Sequence, residues 1–368
     1  MNRFLSQKFK FYSFISIALL LYVHGYNLQE TYLTPYSFVK EPLTFTGFIE
    51  YFLANGALRF RIPLLFMISG YLFALQDNKP YPRRIQRRLK TLIIPFLIWS
   101  AVGLGITWLW QQFPVTARAV KDANLDQFGD TRPYSEIGWW GIFLRWVFKP
   151  VSFQLWFIRS LFVYNLLYPV IRRAVMKYPT VYFALVFLFW HTIFAVFFIE
   201  GIGLFFFSFG VWLCKYNYPI HKKPVWFSYY LSWLFYLGIS VIKTFMAFEL
   251  DPDDPTTPFV LYAFHDITIF SGIIAIWFGG DRVVSILMNK KWFVWASSFA
   301  FVIFALHVPL IHYTTRLAFI YFHNVPNYRL LTYLIVPVVI LFFCIGFGAL
   351  LRRTFPKLYR IATGGRGF

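Results

Sequence analysis

The sequence predicts an all-α polytopic membrane protein of about ten transmembrane helices, with both termini in the cytoplasm. Three observations carry this. Of 368 residues, 59% are hydrophobic and 23% aromatic, and only 14% are charged, whereas a soluble domain is about 45–50% apolar and about 25% charged. The apolar residues fall into runs near the length of a spanning helix, about 20 residues. The basic residues cluster between alternate runs, the pattern that orients membrane proteins. A net charge of +20, from 35 Lys+Arg against 15 Asp+Glu, would suggest nucleic acid in a soluble chain. Its placement between apolar runs points to topology instead, and no nucleic-acid partner is expected.

Ten runs read as spans: 11–28, 57–76, 91–110, 152–171, 180–199, 202–214, 225–248, 259–280, 292–312 and 330–351. The first has a basic flank but no small-residue cleavage site after it, so it reads as a retained span. Arg3, Lys8 and Lys10 precede it. Lys79 to Lys90, Arg172 to Lys177, Lys215 to Lys223, Arg282 to Lys291 and Arg352 to Arg366 mark the other loops on that side. Together these hold 23 of the 35 basic residues and only Asp77 and Asp281 of the acids. The positive-inside rule places them in the cytoplasm. The longest outer loop, about 111–151, carries Trp139, Trp140, Trp146 and Phe148 in a pattern expected of an interfacial helix. The chain shows no internal repeat and reads as one domain over 1–368. Cys214 and Cys344 lie in apolar runs and suggest no disulfide framework.

On this topology the ionisable residues within the spans share one level. His24, Arg59, Arg61, Arg159, His191, Lys243, His265, Asp266, His307 and His312 all fall in the outer halves. Ionisable groups in a bilayer are costly and face a cavity or each other, so a polar chamber open to the exterior is expected. The alternatives are ordinary ones. Arg59, Lys243 and His312 lie near span ends, where snorkelling to headgroups serves. His191 and His265 read as structural histidines, and Asp266 as a neutraliser of a nearby cation. No metal site is expected, because the seven histidines are scattered without carboxylate or Cys partners at ligand spacing.

Five segments, in order, resemble the acyltransferase 3 family of integral-membrane O-acyltransferases. They are ALLLYVHGYN with His24; RIPLLFMISGYLF with Pro63, Phe66 and Ser69-Gly70-Tyr71-Leu72; the basic entry to RRLKTLIIPFLIW; QLWFIRSLFVYNLLYP with Leu155-Trp156-Phe157; and FALHVPLI with His307. One position departs: where the family usually carries an Arg eleven residues before the first histidine, this chain has Ser13, with Lys10 on a similar face. The resemblance implies transfer of an acyl group, acetyl first among them, from cytoplasmic acyl-CoA to a hydroxyl of an extracytoplasmic glycan or glycolipid. It also implies a multi-pass protein of a bacterial cytoplasmic (inner) membrane, in contact with membrane lipid. Acyl-CoA, with acetyl-CoA expected, would be a co-substrate, and no permanently bound cofactor is expected.

Within that reading His24, Arg61 and His307 are the catalytic candidates. Histidine titrates near neutral pH and serves a hydroxyl as general base or carries an acyl group covalently. Arg61 and Ser69, eight residues apart on one helix, fall within about 80° of each other and are expected on one wall as donors to a carbonyl or oxyanion. Gly70 equally serves close helix approach. Arg84, Arg87, Arg88 and Lys90 are candidates for the CoA phosphates, with anionic lipid as the alternative ligand. Arg159 is a further substrate-binding candidate. Trp156, an aromatic-belt residue by composition, walls an acyl tunnel in the family context. Two other functions compete: a transporter of a glycan or lipid precursor, which would favour inverted repeats and a midplane site, and an acyltransferase using succinyl or longer donors on small molecules or lipids.

Overall fold

The computed structural model describes residues 2–26, 28, 36–192 and 198–367. Among these residues it is built from helices alone, with no β-strand. Helix α1 (Arg3–Gly25) starts where Asn2 caps it, its side chain accepting from Leu5 N at 3.1 Å. Helix α2 (Phe45–Tyr51), a π-helical turn at 52–57 and α3 (Arg61–Ala74) make one long span. Helix α4 (Tyr81–Arg88), a π turn at 89–93 and α5 (Ile94–Trp110) make the next. Two short helices follow, α6 (Pro114–Ala123) and α7 (Trp139–Val147). The α7 helix carries the expected exposed indoles, Trp139 at 79% and Trp140 at 56% exposure.

Helix α8 (Trp156–Lys177) and the shorter α9 (Pro179–Trp190) and α10 (Gly201–Lys215) come next. Then α11 (Tyr229–Glu249) and α12 (Thr257–Gly279) pack on each other, followed by α13 (Asp281–Leu287) and α14 (Lys291–Ser297). The chain closes with α15 (Ala300–Phe322), α16 (Tyr328–Thr354) and α17 (Pro356–Ala362).

Seven helical segments among the described residues are long and apolar enough to cross a membrane. The expected count of about ten is therefore met in part. The run at 152–171 forms α8, which four cations interrupt: Arg159, Arg172, Arg173 and Lys177. The runs at 180–199 and 202–214 form α9 and α10, of 12 and 15 residues. At 1.5 Å per residue those are about 18 and 22 Å long, short of a hydrocarbon core of about 30 Å. Residues 193–197, within the expected fifth span, lie outside those described.

Three features hold this bundle at close quarters. At the crossing of α3 and α10, a Cβ on Gly70 would sit 2.0 Å from the Phe207 carbonyl oxygen, and one on Gly210 would sit 2.0 Å from that of Met67. The two glycines let the helix backbones touch, so Gly70 has a packing role. At the predicted cytoplasmic end, Asp77 gathers cations from three helices: Arg84 at 2.8 Å, Arg172 at 3.1 Å and Lys215. Tyr168 donates to the same carboxylate at 2.7 Å. Lys8, fully buried in α1, pairs with Asp281 at 2.7 Å and lies 4.5 Å from the Trp277 ring. That pairing removes what would otherwise be an isolated buried charge.

Candidate active site

Helix α15 is bent at its centre. Val308 is non-helical (φ −104°, ψ 131°), and Pro309 follows. Proline has no N–H to give the carbonyl four residues back, so the Ala305 carbonyl needs another donor. Gln154 provides it: its Nε2 donates to Ala305 O at 3.0 Å and reaches Phe304 O and Val308 O at 3.3 Å. Ser152 Oγ donates to Val308 O at 2.9 Å. These two buried residues fix the bend from outside the helix.

The bend presents His307 to α1. His307 is fully buried, and its ring lies 5.3 Å from that of His24. Its Nδ1 lies 2.9 Å from Ile303 O and 3.0 Å from Phe304 O. Carbonyl oxygens only accept, so Nδ1 carries the hydrogen and Nε2 keeps the lone pair. That Nε2 is buried without a hydrogen-bond partner among the described residues. His312, one turn past the bend, lies 6.1 Å from His24, and Phe153 touches both rings at 5.0 and 5.6 Å. Phe153 packs between His24 and His312, and His307 packs on His24, so the three imidazoles form one compact cluster. His312 is drawn into this cluster rather than to a headgroup.

Two cavities bear on the cluster, although none of its three imidazoles lines either of them. The larger, about 860 Å³, is lined by Arg59, Arg61, Trp156, His191, His265 and Asp266 among others. The expected polar chamber is formed in part. Five of the ten outer-level residues line this cavity, which gathers residues from five helical segments, while His24, Arg159, Lys243, His307 and His312 do not line it. Arg61 is 2% exposed, donates from Nε to the Leu58 carbonyl, and lies within electrostatic reach of both His24 and His307. His191 Nε2 meets Asp266 Oδ2 at 2.7 Å, so the polar contact of Asp266 is with a histidine, and among the described residues no Arg or Lys forms an ion pair with it. Lys243 is fully buried, donates to Asn55 O at 2.6 Å and lies 3.2 Å from His265 Nδ1. Snorkelling does not describe it.

The second cavity, about 280 Å³, lies along the opposite stretch of α1, with Ser13, Ser69, Arg88, Phe304 and Arg366 in its wall. Phe304 is one turn from His307. Ser69 therefore belongs to a different cavity from Arg61, and the single wall expected for the pair is not formed. Eight residues are about 12 Å of helix rise, enough to separate two levels. Ser13, standing where the family resemblance leads to an Arg, faces this second cavity, while Lys10 is exposed.

The remaining candidates are dispersed. Arg84 is engaged by Asp77 and donates from Nη2 to Phe73 O at 2.5 Å. Arg87 and Lys90 are exposed. Arg159 lies over the Phe198 ring at 4.5 Å, donates to the Phe148 carbonyl and lines neither cavity. Ser152, Gln154 and Arg366 were not foreseen as site residues. Pro309 inside an apolar run is the one sequence signal that could have called for the first two, since it orphans a carbonyl. Among the described residues no group of His, Cys, Asp or Glu could hold a metal ion.

Apolar helices of spanning length packed around an imidazole cluster place the chain among helical membrane proteins. The chain belongs to the acyltransferase 3 family, whose acyltransferase domain matches residues 14–352. It is also similar to the "Succinoglycan biosynthesis protein ExoH" of Rhizobium meliloti (strain 1021), with 26% identity over 326 residues, 86% of this chain and 82% of that one. No solved structure matches.

Proposed function

We propose that the protein is a membrane O-acyltransferase that modifies a polysaccharide, taking the acyl group from cytoplasmic acyl-CoA and giving it to a hydroxyl on the outer side. Acetyl is the acyl group expected, both termini are cytoplasmic, and the membrane is a bacterial inner membrane with some ten crossings. Family membership favours transfer over transport. The relative named for succinoglycan biosynthesis favours a polysaccharide acceptor.

The observation that carries the reading is the buried His24–His307 pair, 5.3 Å apart, with Arg61 of the polar chamber in electrostatic reach of both rings. The acceptor sugar occupies the chamber, against Trp156 and Arg61. His24 takes the proton of the acceptor hydroxyl as its oxygen attacks the thioester carbonyl. The carbon–sulfur bond breaks, CoA leaves as a thiolate, and the imidazolium returns the proton to sulfur. Arg61 balances the negative charge that develops on the carbonyl oxygen. His307, its tautomer fixed, accepts from a neighbouring hydroxyl of the sugar through Nε2 and orients it. Burial excludes the water that would otherwise take the acyl group.

Mass spectrometry of surface polysaccharide from cells with and without the protein tests this. One acyl mass per modified repeat, present only with the protein, is the expected result and identifies the acyl group. Unchanged polysaccharide in cells that make the folded protein would refute it.

A further inference from the structure

We propose that the C-terminal segment Thr363–Gly367 is part of the donor site, where Arg366 and Arg88 together hold the phosphate groups of the acyl-CoA. This rests on the reading of the protein as an acyl-CoA-dependent transferase and adds a residue and a segment to it.

The segment is built into place. Trp99 Nε1 donates to Ala362 O at 2.8 Å, fixing the end of α17 against α5. Thr363 is fully buried, and its hydroxyl bridges Tyr359 O at 2.8 Å and Arg366 O at 3.0 Å. Gly364 (φ +61°) and Gly367 (φ +83°) adopt left-handed conformations that favour glycine. A Cβ on Gly364 would meet Thr91 O at 2.6 Å, and one on Gly367 would meet Ser298 O at 2.3 Å. Arg352 Nη1 donates to Gly367 O at 2.9 Å. This fold delivers the Arg366 guanidinium over the Phe301 ring at 4.7 Å. Its Nη1 donates to Thr91 O at 2.8 Å and to Thr363 O at 3.0 Å. Pro95 has no N–H to offer that Thr91 carbonyl. A guanidinium has five N–H donors, and these two bonds use one nitrogen.

Arg88 and Arg366 line one cavity, and among the described residues no carboxylate lines it with them. The other polar side chains in its wall are Ser13, Ser69 and Asn165. Burial and the charge of Arg88 pull Arg366 down to about 10. Two like charges lining one cavity, with no counter-charge among the described residues of its wall, suit an anion between them.

Length decides which anion. Ser13 is eleven residues below His24, about 16 Å of helix rise, and Phe301 is six below His307, about 9 Å. The pantetheine arm of CoA is comparable to four residues of extended chain, roughly 14 Å. Phosphates at the arginine pair therefore set the thioester beside the histidines. The free carboxylate of a dicarboxylic acyl group, only a short chain from the thioester, does not reach that far down.

Calorimetric binding to the protein in phosphatidylcholine nanodiscs tests the proposal, with CoA, 3′-dephospho-CoA and pantetheine as probes. Arg366→Gln keeps an N–H for the Thr91 carbonyl and removes the charge; Arg366→Lys keeps a charge. The expected result is CoA binding about 10- to 100-fold weaker in Arg366→Gln, the loss of one charge-assisted contact. Partial recovery in Arg366→Lys and unchanged pantetheine binding complete the expected pattern. CoA binding within twofold of wild type in Arg366→Gln would overturn it, as would an equal loss of pantetheine. Phosphatidylglycerol that displaces CoA from wild type but not from Arg366→Gln would assign the pair to a lipid headgroup and also overturn it. If wild type binds no CoA, the acyl-CoA reading itself fails; if wild type binds and the variants bind alike, only this inference fails.

Discussion

Replacing Gln154 by Leu tests how the bend in α15 is held. Gln154 Nε2 serves three carbonyls, but they do not depend on it equally. Val308 O also takes the Ser152 hydroxyl at 2.9 Å, and Phe304 O also takes His307 Nδ1 at 3.0 Å. Ala305 O, 3.0 Å from Nε2, has Pro309 where its helical donor would be. The substitution thus orphans one buried carbonyl, costing about 1–3 kcal/mol. Ser152→Ala leaves Val308 O with Gln154 and costs less, about 0.5–1.5 kcal/mol. The double variant loses more than the two added together, because each residue covers for the other at Val308 O. Unfolding in mixed micelles with increasing SDS reads all three. Acyl transfer falls in Gln154→Leu as well, since the bend aims His307. Gln154→Leu with wild-type stability, or additive losses in the double variant, would refute this account of the bend.

Other outcomes follow from the same geometry. Reporter fusions after residues 27 and 255 should read outside and those after 85 and 365 inside; a cytoplasmic signal at 255 would reverse the orientation. Arg88→Ala should weaken CoA binding more than Arg87→Ala does, because Arg88 lines the cavity and Arg87 is exposed, and raised salt should weaken the wild type too. Gly210→Ala should cost about 1–3 kcal/mol by overpacking, read as a lower unfolding midpoint, since its new Cβ would sit 2.0 Å from Met67 O.

Much of the fold was legible because apolar runs of spanning length leave few choices in lipid. The all-α class, the α7 indoles and half of the residues expected in one polar chamber follow from run length, aromatic placement and the cost of charge in a bilayer. The start of the second span was not legible. Glu50 interrupts its apolar run, yet it is 1% exposed and lies 3.9 Å from Arg329, far along the chain. The π turns at 52–57 and 89–93 leave no pattern that spacing detects. In the site, helical phase placed Arg61 near Ser69, but rise along the axis put them in separate cavities. Arg366 read as one more cytoplasmic cation because only the folded tail, turned by Gly364 and Gly367, carries it to Arg88's cavity.

The central claim is that His24 is the catalytic base, and its most direct test is the acyl content of surface polysaccharide from cells making His24→Ala at wild-type levels. The account predicts transfer reduced at least about 10²–10⁴-fold, the usual worth of a general base, in a protein that unfolds like wild type. His307→Ala should lose less, since its role is to orient the acceptor. Near-complete acylation by well-folded His24→Ala would contradict the claim and move the base to His307, whose Nε2 already holds the lone pair.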